Sequence, residues 1–174
     1  MTQMEIAERA GLGPAWLAEL TRLVADDVQA GAYPPVGFDA DQRWHRRIHC
    51  DDWVDVWLIG WLPSQSTQLH DHGGSSGAFT VVSGALSEAL FVGAGPHAGT
   101  LRERLHQEGA CVAFGSAYVH DVRNLADAPA VSVHAYSPPL ARMRFYDVRD
   151  GRLAVDGALE TDDPEPVAPR ALVR

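Results

Sequence analysis

His70 and His72 flank Asp71 in the stretch Gln68-Leu-His-Asp-His-Gly-Gly74, and a third histidine, His120, stands further along the chain. On an extended backbone, residues two apart point to the same face about 6.8 Å from one another, so both rings of a His-x-His can reach one ion. His120 lies in an apolar, alternating stretch, Ala117 to Asn124, where a surface residue would be unexpected. A neighbouring strand could bring it to the same ion. Three neutral imidazoles suit a divalent first-row metal and leave positions open for substrate; iron, nickel, zinc and copper all accept such a set. A second constellation follows. Ser132, His134 and Tyr136 alternate with Val131, Val133 and Ala135, which gives one wholly polar and one wholly apolar strand face. A hydroxyl, an imidazole and a phenol on one face can form a relay, and each such group buried without a partner costs about 1–3 kcal/mol.

The elements that must position these residues are short strands. From Arg43 onward, runs at about 43–49, 53–62, 67–72, 77–83, 85–92, 99–105, 110–114, 118–124, 130–137 and 141–148 are separated by turn residues. Such spacing predicts a β-sandwich or barrel. Ser83-Gly84 reads as a hairpin turn between the fourth and fifth runs, and Gly93 to Gly99 as a longer loop. Two helices are expected ahead of the strands. Thr2 and Glu5 form a capping-box pattern, and Pro14 opens a second helix in which Leu17, Leu20, Val24 and Val28 make one apolar stripe. That helix should cover the body of the protein. The chain is expected to be one domain: 1–37 as helical cover and linker, 43–155 as the β-barrel, and 156–174 as an acidic tail, extended or poorly ordered. Trp53, Trp57 and Trp61 fit core and wall packing. Asp71 should point away from its two histidines, and His45, His49, His97 and His106 are expected to be solvated.

Composition narrows the partners. In 174 residues, 23 acidic against 14 basic side chains give a formal charge of −9, and the basic residues form no cluster beyond Arg46-Arg47. Nucleic acid and anionic membranes are therefore excluded as expected partners. Cys50 and Cys111 lack CxxC spacing, which argues against a disulfide framework or a structural zinc site. No apolar run approaches the roughly 20 residues of a membrane helix, and the first residues hold no apolar leader. A cytoplasmic protein, monomeric or a small homo-oligomer, is the expectation.

The histidine pattern resembles the cupins, which carry His-x-His on one strand and His-x-x-x-Asn on another; here these are His70 and His72, then His120 and Asn124. The glutamate many cupins carry after the second histidine would fall near Ser76 or Gly77, so the site is expected to be a three-histidine face. Gly115-Ser-Ala117 stands in place of the second motif's Pro-x-Gly. Trp61, Leu69-His-Asp-His72, Gly84-Ala-Leu-Ser-Glu88 and above all Ser132-Val-His-Ala-Tyr-Ser-Pro-Pro139 are similar to the cysteine dioxygenase family of thiol dioxygenases, over roughly Arg43 to Asp147. This resemblance implies a mainly β, cupin-type barrel of the jelly-roll kind with N-terminal helices. It implies Fe(II) on His70, His72 and His120, and oxidation of L-cysteine by dioxygen to the sulfinic acid. Ser132, His134 and Tyr136 become the catalytic relay, with the phenol aimed at substrate and oxygen. Trp44-His-Arg46 resembles the family's aromatic-x-Arg segment, which assigns the substrate carboxylate to Arg46 and leaves Arg47 on the opposite face, in solvent or an ion pair. Animal members carry a cysteine, crosslinked to the relay tyrosine, where this chain has Gly77, so Tyr136 is expected to be uncrosslinked. Two other readings stay open: a dioxygenase for 3-mercaptopropionate or another small thiol, and a non-catalytic metal-binding cupin that senses a small ligand.

Overall fold

The computed structural model describes residues 11–93 and 98–164. The helix expected from Thr2, His97 and the chain beyond Pro164 lie outside the described residues. Among the described residues one helix, α1 (Pro14–Gln29), comes first, with Pro14 in its opening turn. Proline is at home there because its missing N–H would have had no helical partner. Leu17, Ala18, Thr21, Val24 and Ala25 form its buried face.

Eleven strands follow among the described residues: β1 (Trp44–Cys50), β2 (Asp55–Trp61), β3 (His70–Asp71), β4 (Ser76–Ser83), β5 (Ala85–Val92), β6 (Thr100–Gln107), β7 (Cys111–Phe114), β8 (His120–Arg123), β9 (Ala130–Ser137), β10 (Arg142–Arg149) and β11 (Arg152–Glu160). They form a five-stranded sheet in the order β1-β2-β9-β4-β7 and a six-stranded sheet in the order β11-β10-β3-β8-β5-β6. This is the mainly β cupin barrel of two antiparallel sheets. The two inner faces meet in one apolar cluster, with Ile59, Phe79 and Val81 from the first sheet against Leu86, Val122, Met143 and Phe145 from the second.

Strands β2 and β9 are buried along their whole length because both faces are covered. Their inward residues enter the barrel core, while Val56, Leu58, Val133 and Ala135 on the outer face pack with Leu17 and Val24 of α1. The helix thus has the covering role its stripe predicts. It also holds the sheet that carries Ser132, His134 and Tyr136 from behind.

Two expectations need correction. Ser83-Gly84 is not a hairpin turn: β4 pairs with β7 and β9, whereas β5 pairs with β6 and β8 in the other sheet. Gly84 is instead the corner between the sheets. Its φ is +77°, and a Cβ there would stand 2.8 Å from the Pro129 carbonyl oxygen, so the chain turns where only glycine fits. The tail also begins later than Asp156. Strand β11 runs to Glu160 and pairs with β10 along its length, because Leu153, Val155 and Leu159 give it a strand pattern that the surrounding acidic residues conceal.

Candidate active site

Strand β3 is two residues long, and its neighbours must hold it. His70 pairs directly with His120 of β8 on one side and with Phe145 of β10 on the other. Asp71 supplies the remaining anchorage. One of its carboxylate oxygens accepts from the Gly73 and Arg144 backbone N–H groups, and the other from the Arg144 guanidinium at 2.7 Å and the Tyr146 hydroxyl at 2.7 Å. Burial would raise the pKa of Asp71, but these donors outweigh it and keep the carboxyl below its usual range. Asp71 does turn away from the histidines, yet it is buried, and it rivets the His-x-His segment to β10.

The direct pairing places His70 and His120 side by side, ring centroids 4.9 Å apart, and His72 closes the triangle at 4.9 and 5.2 Å. One nitrogen from each ring lies within 4.8 Å of the others, and all three side chains are buried. The nitrogens already engaged decide which ones are left. His70 donates from Nδ1 to the Gln68 carbonyl at 2.6 Å, and His120 donates from Nδ1 to Glu88 at 2.8 Å. Both therefore keep an Nε2 lone pair. Among the described residues Nε2 of His72 is buried with no partner, a costly state for a polar atom unless something binds it. Burial, reinforced by the neighbouring imidazoles, lowers the pKa of His70 to about 3 and holds His72 well below the ordinary value. Three buried rings presenting Nε2 to one point fit a divalent metal ion.

Glu88 is the residue that sequence reasoning missed. It is fully buried on β5 and accepts three hydrogen bonds: from His120, from the Tyr118 hydroxyl at 2.9 Å and from Nε2 of His106 at 2.9 Å. Burial alone would raise its pKa; the bonds from His106, His120 and Tyr118 prevail and bring it down to about 2. A carboxylate behind a ligand imidazole fixes its tautomer and makes it a stronger donor to metal. The signal was present in the sequence, since Leu86, Glu88 and Leu90 alternate and a charge on the apolar face of a strand demands partners. His106, expected in solvent, is held by the same carboxylate and is mostly buried.

The relay lies on the opposite sheet. Ser132 Oγ and Nε2 of His134 are 2.8 Å apart, and Nδ1 of His134 is 3.3 Å from the Tyr136 hydroxyl. The Tyr136 ring stacks on His72 at 5.1 Å, with Phe114 stacked on the same imidazole at 4.9 Å. Relay and histidine triad thus meet at His72. A Cβ on Gly77 would fall 2.5 Å from Phe114 and 3.0 Å from the Tyr136 ring; the phenylalanine fills the room a longer side chain would need. Asn124, fully buried, ties the end of β8 to the backbone carbonyl of Trp61 at 3.1 Å.

The arginine assignment changes. In the β1–β2 register His45 lies opposite Ile59 and Arg47 opposite Trp57, both partners being core residues, so odd-numbered residues of this stretch face inward. Arg46 is exposed and lies over Trp44, 5.1 Å from the ring centroid, on the side where Trp44 and Ile48 pack beneath α1. It does not join the histidines. Arg47 lies over Trp57 at 4.4 Å and pairs with Asp162 at 2.7 Å, and its Nε is buried without a partner among the described residues. Arg43 lies over Trp61 and donates to the Ser66 carbonyl. Trp57 and Trp61 are buried walls, whereas Trp53 is 44% exposed.

With this geometry in view, comparison with known proteins decides the family. The family model described as cysteine dioxygenase type I matches residues 30–149. The chain belongs to this family. Curated cysteine dioxygenase type 1 proteins are similar to it: the human protein is 28% identical over 102 residues and the zebrafish (Danio rerio) protein 29% over 107, each match covering 56% of this chain and 51% of the relative. The chain thus spans about half the length of the curated relatives it matches. Among solved structures, TT1209 from Thermus thermophilus superposes with a TM-score of 0.51 at 19% identity, covering 59% of this chain and 89% of that one. Oxalate oxidase in complex with glycolate gives 0.50 at 15%, covering 59% and 55%. These two show a shared fold.

Proposed function

We propose that this protein is an iron(II)-dependent thiol dioxygenase that oxidises L-cysteine with dioxygen to cysteine sulfinic acid, both oxygen atoms ending on sulfur. The observation that carries this reading is the stacking of a relay tyrosine, Tyr136, on a metal-site histidine, His72. Nε2 of His70, His72 and His120 would hold the ion, which when bound supplies the redox chemistry of dioxygen and lowers the thiol pKa so that thiolate is available at neutral pH. The protein's own contribution is placement. Arg47 offers a guanidinium suited to a substrate carboxylate, on the cross-strand row Arg47–Trp57–His134. Tyr136 offers a proton or hydrogen bond at the reacting end. Burial raises its pKa, with the charge of nearby Asp55 adding to the effect, so the hydroxyl stays protonated. The surrounding aromatic rings exclude water.

The partners proposed are a small thiol and dioxygen, and the compartment the cytoplasm, where Cys50, exposed and free, stays reduced. Among the described residues no helix is long and apolar enough to cross a membrane. The test is oxygen uptake by the iron-loaded protein with the sulfinate quantified. Uptake with L-cysteine, lost in His70→Ala, His72→Ala and His120→Ala together with the metal, is the expected result. Uptake with 3-mercaptopropionate but not cysteine would reassign the substrate. Bound metal with no uptake for any thiol would make the protein a metal-binding cupin.

A further inference from the structure

The relay has a member beyond its serine. The indole Nε1 of Trp61 donates to Ser132 Oγ at 2.9 Å, and every atom of the chain Trp61–Ser132–His134–Tyr136 belongs to a buried residue. An indole N–H can only donate, and a serine hydroxyl has one proton. The indole takes one of the two lone pairs on the Ser132 oxygen, and among the described residues Nε2 of His134 is the acceptor within reach of the hydroxyl proton, so Ser132 is satisfied in full by donating to Nε2. A neutral imidazole has one donor and one acceptor nitrogen, so the proton of His134 then resides on Nδ1 and points at the Tyr136 oxygen. Burial, aided by the neighbouring imidazoles, lowers the pKa of His134 to about 3, which keeps it in this neutral form. Tyr136 accepts from the relay, and its own proton is left for whatever occupies the site.

We propose that Trp61 is the positioning residue that sets the direction of this relay, so that Tyr136 presents its hydroxyl as a donor to the bound reactants. Without the indole, the opposite chain satisfies the same atoms equally well: Tyr136 donates to Nδ1 of His134, whose Nε2–H donates to Ser132, and the phenol proton is consumed internally. Arg43, 5.6 Å above the indole, withdraws electron density from the ring and makes its N–H the stronger donor. Asn124 grips the Trp61 carbonyl from the end of β8, which ties this residue to the strand that bears His120.

The role of Tyr136 toward substrate rests on the function proposed above; the direction of the relay does not. The direction is read on metal-free protein with 15N-labelled histidine, from long-range proton–nitrogen correlations at neutral pH, His134 being assigned by its loss in His134→Asn. The expected spectrum has Nδ1 protonated and Nε2 bare. A protonated Nε2 in the wild-type protein overturns the proposal without any variant. In Trp61→Phe the two tautomers should mix or reverse, and an unchanged Nδ1–H form overturns it. Should that variant fail to fold, replacement of Trp61 by 3-benzothienylalanine keeps the shape and puts sulfur where the N–H was. In the iron-loaded enzyme either change should lower kcat at least tenfold with KM within about twofold, the size expected when a positioned proton donor is lost. Failure of the wild-type enzyme to oxidise any thiol would sink the functional reading and leave the tautomer result standing.

Discussion

At the scale of single residues, the metal site depends as much on what backs the histidines as on the histidines themselves. Glu88 holds the Nδ1 proton of His120, while His70 has the Gln68 carbonyl behind it. Glu88→Gln preserves the shape but removes the charge, and such changes behind a ligand cost about 10–100-fold in metal affinity. Anaerobic titration with Co(II), followed by its visible absorption, should show that weakening with the three ligands intact. Gly77 makes a second residue-scale case. With no thiol beside Tyr136, the intact protein should have the mass of its sequence, and a loss of two hydrogens in a peptide containing Tyr136 would contradict the placement of Phe114 against that ring.

At the scale of elements, the register of β1 separates two neighbouring arginines that motif matching cannot. Arg46→Ala should leave turnover of a carboxylated thiol nearly unchanged, since the side chain lies over Trp44 on the outer face. Arg47→Ala should raise KM for such a thiol, with a smaller effect on kcat. Equal KM values for the two variants would remove Arg47 from the site. This is also where the limits of the sequence lie. The triad and the relay were legible, because His-x-His and Ser-x-His-x-Tyr state their face through the two-residue period of a strand. The face of Arg46 was not, because Trp44 and Ile48 make its side the more apolar one, and that side packs beneath α1 instead of entering the barrel; the pairing with β2 decides it. The corner at Gly84 was hidden for a related reason: a glycine between two strands looks alike whether the strands pair or part. Strand β11 was masked by its charges.

At the scale of the whole molecule, burying several neutral imidazoles makes stability depend on pH. His134 and His70 take up protons near pH 6.5 when unfolded but only at about 3 when folded. Between those values the unfolded chain binds more protons. The stability these residues allow is thus fully present above about pH 6.5 and is lost as pH falls toward 3, by about 1.4 kcal/mol per pH unit for each group. Urea unfolding of the metal-free protein from pH 7 to pH 4 should show this loss, with a shallower slope in His134→Asn; equal slopes would mean that His134 is already charged in the fold.

The barrel also divides the chemistry between its two sheets. His70, His120, Glu88 and His106 belong to the six-stranded sheet, while Trp61, Ser132, His134, Tyr136 and Arg47 belong to the five-stranded one. Metal content therefore reports chiefly on one wall of the barrel, with the other felt through the rings stacked on His72, and turnover reports on both. A variant that shifts the walls by a fraction of an ångström can be fully loaded and inert, and loading is a poor proxy for competence when variants are screened. The same division makes the two halves adjustable apart: changes behind β5 and β8 alter how the ion is held, and changes under α1 alter what is presented to it.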